Sequence, residues 1–272
     1  MVFSFIFVKY TFFMRYFVHL SFNGTNYHGW QIQKNAPCVQ AVLEDAISRV
    51  LGETVTVTGC SRTDTGVHAK DFRAHFNYTG NPFQCDVLTY KLNAILPPDI
   101  YVYDIFPVPE NLHARFHAVS RTYRYYVRRN KDPFLGGLSS APGTYCQTPP
   151  DMEMMNNAAG LLLGTHDFTS FSKLHSQTRS NICTVTEAHW FITHEELGVA
   201  PLWIFQVTAD RFLRNMVRCM VGSLLEIGMK KKPVEWILQL LTEKNRSLAG
   251  HSVPPEGLFL WKVNYDKLKT VN

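Results

Sequence analysis

The densest concentration of chemically capable side chains in this sequence is Gly59-Cys60-Ser61-Arg62-Thr63-Asp64-Thr65-Gly66-Val67-His68-Ala69. An arginine and a carboxylate lie between two glycines, and a histidine follows. Glycines allow unusual backbone angles and let a ligand approach the main chain closely. Arg62 and Asp64 are two apart, so in extended backbone they point the same way. A nearby guanidinium keeps a carboxylate ionised, the state that a nucleophile or base requires. The same residues also suit a polar surface loop whose aspartate merely caps its own backbone. Residue types alone leave both readings open.

A second group is Arg211, Arg214 and Arg218. Leu213, Met216, Val217, Met220, Leu224 and Ile227 form an apolar stripe, so the spacing predicts a helix over 212–228 with the three arginines on another face. That face is either simply solvated or a surface for anions. His113 and His117 are four apart but lack the glutamate of a zinc-binding HExxH, and predicted strands border them, so a metal site is not expected. There is no P-loop or GxGxxG to suggest a nucleotide cofactor, and no CxxC among the six cysteines to suggest a zinc ribbon or redox pair.

The elements that must position these residues read as a mixture of strands and helices. Strands are expected at 16–22, 54–58, 71–77, 100–106, 122–128, 185–193, 203–209 and 258–265. Helices are expected at 39–51, 86–96, 151–163, 212–228 and 233–241. The Asp64 loop then joins two strands. Without regular strand–helix alternation, the fold class is α+β with a mainly antiparallel sheet flanked by helices. Residues 108–114 are the expected crossover between two similar-sized domains, 15–112 carrying the Asp64 loop and 113–272, with an active-site cleft between them. The apolar start, residues 1–14, is too short to span a bilayer and lacks a secretory cleavage signal. It is expected to be an upstream extension, with Met14 as the natural start.

With 272 residues, 46% of them hydrophobic and 18% charged, the chain can bury a core. Its net charge of +5 permits a polyanionic partner without requiring one. Scattered cysteines suit a reducing cytosol, where they act as small buried hydrophobes.

GCSRTDTGVHA resembles the signature of the TruA-type tRNA pseudouridine synthases, approximately G-x-G-R-T-D-x-G-V-H-x. The likeness extends over nearly the whole chain after residue 14, through Asn26-Tyr27-His28-Gly29-Trp30-Gln31, His113-Ala114-Arg115-Phe116, Arg121-Thr122-Tyr123-Arg124-Tyr125, Asp167-Phe168-Thr169-Ser170-Phe171, Met216-Val217-Arg218 and Glu256-Gly257-Leu258. Ser61 stands where the family usually has glycine, a departure that matters only if the site needs a positive φ.

The resemblance implies an isomerase that converts uridine to pseudouridine in the tRNA anticodon stem-loop, at positions 38, 39 and 40. It also implies a cytoplasmic homodimer with no cofactor, no metal and no membrane partner. It places the family's catalytic aspartate on Asp64 and its base-packing tyrosine on Tyr123. Arg62 becomes the residue that helps extrude the nucleotide, Arg218 the cation paired with Asp64, and Arg211 and Arg214 the phosphate contacts. Two alternatives compete. An RNA-binding module without catalysis would leave the Arg-Thr-Asp loop without a purpose. A glycoside or nucleoside hydrolase would want a second acid, for which Asp71 is the only nearby candidate in sequence.

Overall fold

The computed structural model describes residues 13–141, 149–173, 180–193 and 201–266. Residues 1–12, which hold nearly all of the expected upstream extension, and Cys146 lie outside them. Among the described residues the strands are β1 Met14–Phe22, β2 Val57–Gly59, β3 His68–Tyr78, β4 Ile100–Val108, β5 Ala118–Arg128, β6 Gly164–Asp167, β7 Ile182–Thr193, β8 Leu202–Ala209 and β9 Leu258–Tyr265. The helices are α1 Val39–Leu51, α2 Cys85–Ile95, α3 Met152–Gly160, α4 Met216–Gly228 and α5 Trp236–Glu243.

The α+β class with a mainly antiparallel sheet is as expected. The strands of both halves form one sheet, in the order β4-β1-β3-β9-β5-β8-β7-β6, with β2 added on β3. Among the named strands of the described residues one pairing is parallel, where His68 and Ala69 of β3 meet Phe259 and Leu260 of β9. Everything to one side of this seam comes from residues before 109, and everything to the other from residues after 117. The crossover between the halves spans residues 109–117, longer than the expected 108–114 because β5 begins at Ala118.

Local sequence explains the elements. In α1 the buried residues Val39, Leu43, Ala46 and Ile47 fall on one helical face. Asp151 caps α3 by accepting the Met154 N–H at 3.1 Å, satisfying one of the open donors of a first turn. Phe17, Phe72, Phe76, Tyr125 and Phe205 are fully buried along the sheet. Cys38, Cys60, Cys183 and Cys219 are buried and free.

Three differences from expectation have physical causes. Helix α4 starts at Met216 because Asn215 adopts φ +67, a left-handed conformation that a short polar side chain tolerates but a helix does not. β2 starts at Val57, opposite Phe76 of β3. β6, not expected at all, is a short edge strand held by its pairing with β7.

The crossover is fastened to β3 by His75, whose Nδ1 accepts the Ala114 N–H at 3.2 Å. Burial, followed by the charges of Arg15 and His113, pushes the His75 pKa down to about 3. An unfolded histidine titrates near 6.5, so between these values the unfolded chain binds a proton that the fold refuses. This contribution to stability is complete above about pH 6.5 and is lost as pH falls toward 3. The thermal unfolding midpoint is therefore expected to drop between about pH 7 and pH 4.5, and His75→Gln to flatten that slope. Calorimetry across this range checks it, and equal slopes for the two proteins would contradict it.

Candidate active site

The Asp64 loop closes the β2–β3 hairpin. Its base is set by Cys60 N–H donating to Arg73 O at 2.7 Å, and its far end by Val67 N–H donating to Asp64 O at 3.1 Å. Gly66, at φ +76, supplies the left-handed residue of that final turn. One side of the loop rests on the segment after β1. Gly66 N–H donates to Tyr27 O at 3.1 Å, and Trp30 N–H to Thr63 O at 3.3 Å. Gly29 sits at φ +87, and a Cβ there would lie 2.2 Å from Thr63 O. The Asn26–Gln31 block is therefore the cradle of the loop, anchored in turn by Tyr27 Oη donating to Asp99 Oδ1 at 2.6 Å and by Trp30 stacking on Phe72 at 4.2 Å.

The other side of the loop rests on the second half of the chain. Arg121, on β5, donates to the carbonyls of Cys60, Arg115, Ala118 and Asp210. One guanidinium thus ties the loop to the crossover and to the end of β8. Tyr123, two residues on and on the same strand face, reaches Ser61: the two hydroxyl oxygens are 3.3 Å apart. Its ring is 7% exposed and packs edge-on against Phe212 at 4.9 Å. Burial raises the Tyr123 pKa to about 12, so the phenol is neutral. Ser61 has no positive φ, and serine therefore fits the family's glycine position without backbone strain.

His68 closes the seam between the halves, a role that sequence reasoning did not assign. Gly24 N–H donates to its Nδ1 at 3.0 Å, which fixes the proton on Nε2, and Nε2–H donates to Glu256 O at 3.1 Å. The ring is buried and stacks on Phe259 at 4.5 Å. Burial lowers its pKa, in keeping with a neutral tautomer that both bonds need. The Glu256-Gly257-Leu258 block is thereby explained as the acceptor side of this link.

Asp64 itself is about one quarter exposed, and its Oδ1 lies 3.4 Å from Arg214 Nε. This differs from the expectation that Arg218 is the paired cation. Arg218 instead donates Nε–H to Val253 O at 2.7 Å and accepts the Val253 N–H on its own carbonyl. It binds α4 to the 253–257 segment that contacts Gly66 and His68. The expected three-arginine helical face is also not formed: Arg211 and Arg214 precede α4, in the turn after β8. Arg62 is exposed beside the aspartate. Arg115 has its pKa lowered by burial and then by the nearby charges of Arg62, Arg121 and Arg211, which defines a cluster of four arginines around the loop.

Asp71, the one nearby carboxylate in sequence, is held in the sheet by three partners. Its oxygens lie 3.1 Å from His19 Nε2 and 3.1 Å from Arg73 Nε, and Oδ2 accepts the Val263 N–H of β9. Burial pushes its pKa up, but these partners outweigh it and hold the carboxylate below its ordinary value. The Asp167–Phe171 block is likewise structural. Phe168 and Phe171 are fully buried, and Ser170 Oγ donates to Leu240 O.

Asp64 is thus held, beside Arg214, on a loop that leads into β3, where the two groups of strands meet. The family model described as tRNA pseudouridine synthase matches residues 20–117 and 158–266, and the chain belongs to that family. It is similar to the tRNA pseudouridine synthase A of Porphyromonas gingivalis, with 46% identity over 92% of this chain and 97% of the relative. The enzymes of the same name from Bacteroides fragilis and Bacteroides thetaiotaomicron are 44% and 46% identical, covering 92% of this chain and 96% and 90% of theirs.

The close approach at Gly29 yields a test. Gly29→Ala must move Thr63 and adopt a strained φ, so it is expected to destabilise the fold by more than about 1 kcal/mol and to displace Asp64. Denaturant unfolding with a paired activity measurement checks this. Unchanged stability and rate would show that the cradle does not set the loop.

Proposed function

We propose that this chain isomerises uridine to pseudouridine in the anticodon stem-loop of tRNA, at positions 38, 39 and 40, with Asp64 as the essential nucleophilic carboxylate. The observation that carries the reading is the placement of Asp64: partly exposed, 3.4 Å from Arg214 Nε, and on a loop that touches the buried Tyr123 through Ser61. An ion pair with Arg214 61% exposed adds at most about 1 kcal/mol of stability. Its value lies in orienting the carboxylate at the loop rather than in stabilising the fold.

The reaction breaks the N1–C1′ bond, turns the uracil over and joins C5 to C1′. The C5 proton leaves and N1 regains one, so atoms balance with no redox change and no energy input. Asp64 can act on C6 of the base or C1′ of the ribose, or remove a ribose proton on a glycal path. Each route needs an ionised carboxylate held against the sugar.

The target nucleotide must first leave its stack, which costs about a few kcal/mol. Arg62, exposed on the same loop, is suited to extruding it and filling the gap. Packing of the base on Tyr123, whose hydroxyl meets Ser61 of the loop, recovers roughly 1–3 kcal/mol. Arg211 and Arg214 flank the approach to the loop and suit phosphate contacts. Arg218 supports the site through the 253–257 segment that it holds. Residues 15–112 and 113–272 act as two lobes meeting at the seam. From the family resemblance, the working form is a cytoplasmic homodimer in which one tRNA touches both subunits.

The test is tritium release from tRNA labelled at uracil C5. Wild-type protein is expected to release it, and Asp64→Ala to lose at least about a thousandfold in rate while still binding tRNA. Equal release by both would remove Asp64 from the chemistry. Binding without release by either would leave an RNA-binding protein, and free uracil would indicate a hydrolase.

A further inference from the structure

The crossover at residues 109–117 is heavily braced for a surface connection. Arg15 donates to Leu112 O at 2.9 Å, His75 accepts from Ala114 N–H, Tyr265 Oη donates to Ala114 O at 2.5 Å, and Arg121 donates to Arg115 O at 2.6 Å. Within the turn, His113 Nδ1 accepts both the Arg115 and Phe116 N–H groups, and His117 Nδ1 accepts the His113 N–H.

This bracing buries Ala114 completely but leaves Phe116 75% exposed. A single exposed apolar residue is ordinary and needs no explanation. Here, however, the backbone beneath it is ordered by side chains from β1, β3, β5 and β9, and the ring is backed by His113 at 4.3 Å. Arg115 Cζ lies 5.9 Å from the ring centroid, and Arg121 bridges Arg115 O to Cys60 O at the base of the Asp64 loop. A preset aromatic ring among arginines is the chemistry that holds an unstacked nucleobase together with its phosphates.

We propose that Phe116, with Arg115 beside it, is a stacking platform for a nucleobase of the tRNA adjacent to the target uridine. The proposal rests on the tRNA isomerase reading and extends it to a second base. The platform holds the neighbouring strand in place while the target nucleotide is turned out.

The experiment compares Phe116→Ala, Phe116→Leu and Phe116→Trp. Binding to full-length tRNA is measured in the Asp64→Asn background, and KM and kcat in the active enzyme. Phe116→Ala is expected to weaken binding by about 5- to 150-fold and to raise KM correspondingly, with kcat within about threefold. The exposed position predicts an unchanged unfolding midpoint. Phe116→Trp is expected to restore affinity and Phe116→Leu not to, since only an aromatic face stacks. A 2-aminopurine placed next to the target uridine is expected to lose part of its protein-induced fluorescence change in Phe116→Ala. Binding within twofold of wild type, restoration by leucine as good as by tryptophan, or conversion of a dimer to a monomer by Phe116→Ala would each overturn the platform. Aromatic-dependent RNA binding by a wild-type protein that isomerises nothing would overturn the enzymatic reading and leave the platform standing.

Discussion

The buried imidazole of His68 is the interaction on which the rest of the site depends. It accepts from Gly24 in the first half of the chain and donates to Glu256 in the second, at the point where β3 and β9 pair in parallel. Its ring can serve both only while neutral, and burial keeps it so. The Asp64 loop leaves β3 at this residue. The Asp64 loop is therefore positioned in part by a contact between the two halves of the chain. Arg121 and Arg218 repeat the same design. Each binds backbone carbonyls of segments distant in sequence, and each leaves the aspartate itself untouched.

The electrostatics divide into two kinds of arginine. Arg121 and Arg218 are fixed in hydrogen bonds to carbonyls and act as braces. Arg62, Arg115 and Arg214 are exposed near the loop and leave their charge open to solvent. Three exposed arginines close to the loop give it a local positive charge that the modest net charge of +5 does not reveal. Screening by solvent limits what these exposed charges add to stability, so the loop must be held by its backbone contacts instead.

The fold class, most of the strands and the Asp64 loop were legible in the sequence because their signals are local. Alternation in β1 and β3, the apolar face of α1, and a carboxylate between glycines can all be read within a few residues of one another. The placement of arginines at the site was harder. Leu213 continues the apolar period of α4, which suggests a helix from 212, but the left-handed Asn215 stops it and moves Arg214 to the aspartate. The role of His68 depends on partners at positions 24 and 256, and that of Arg121 on positions 60 and 210. No periodicity records such long-range pairings. The blocks of family resemblance take in Cys60, His68, Arg121 and Glu256 but not Gly24 or Asp210.

The most direct measurement is made on His68→Leu, which removes both hydrogen bonds and keeps an apolar side chain in their place. Pseudouridine formation in tRNA is followed together with hydrogen exchange at the Gly24, Gly66 and Val67 amides. The expected result is a large fall in kcat accompanied by faster exchange at these three amides, with protection retained in the sheet interior at Phe17 and Phe205. A variant that turns over at the wild-type rate, or that keeps the loop amides protected, would show that the seam does not position Asp64.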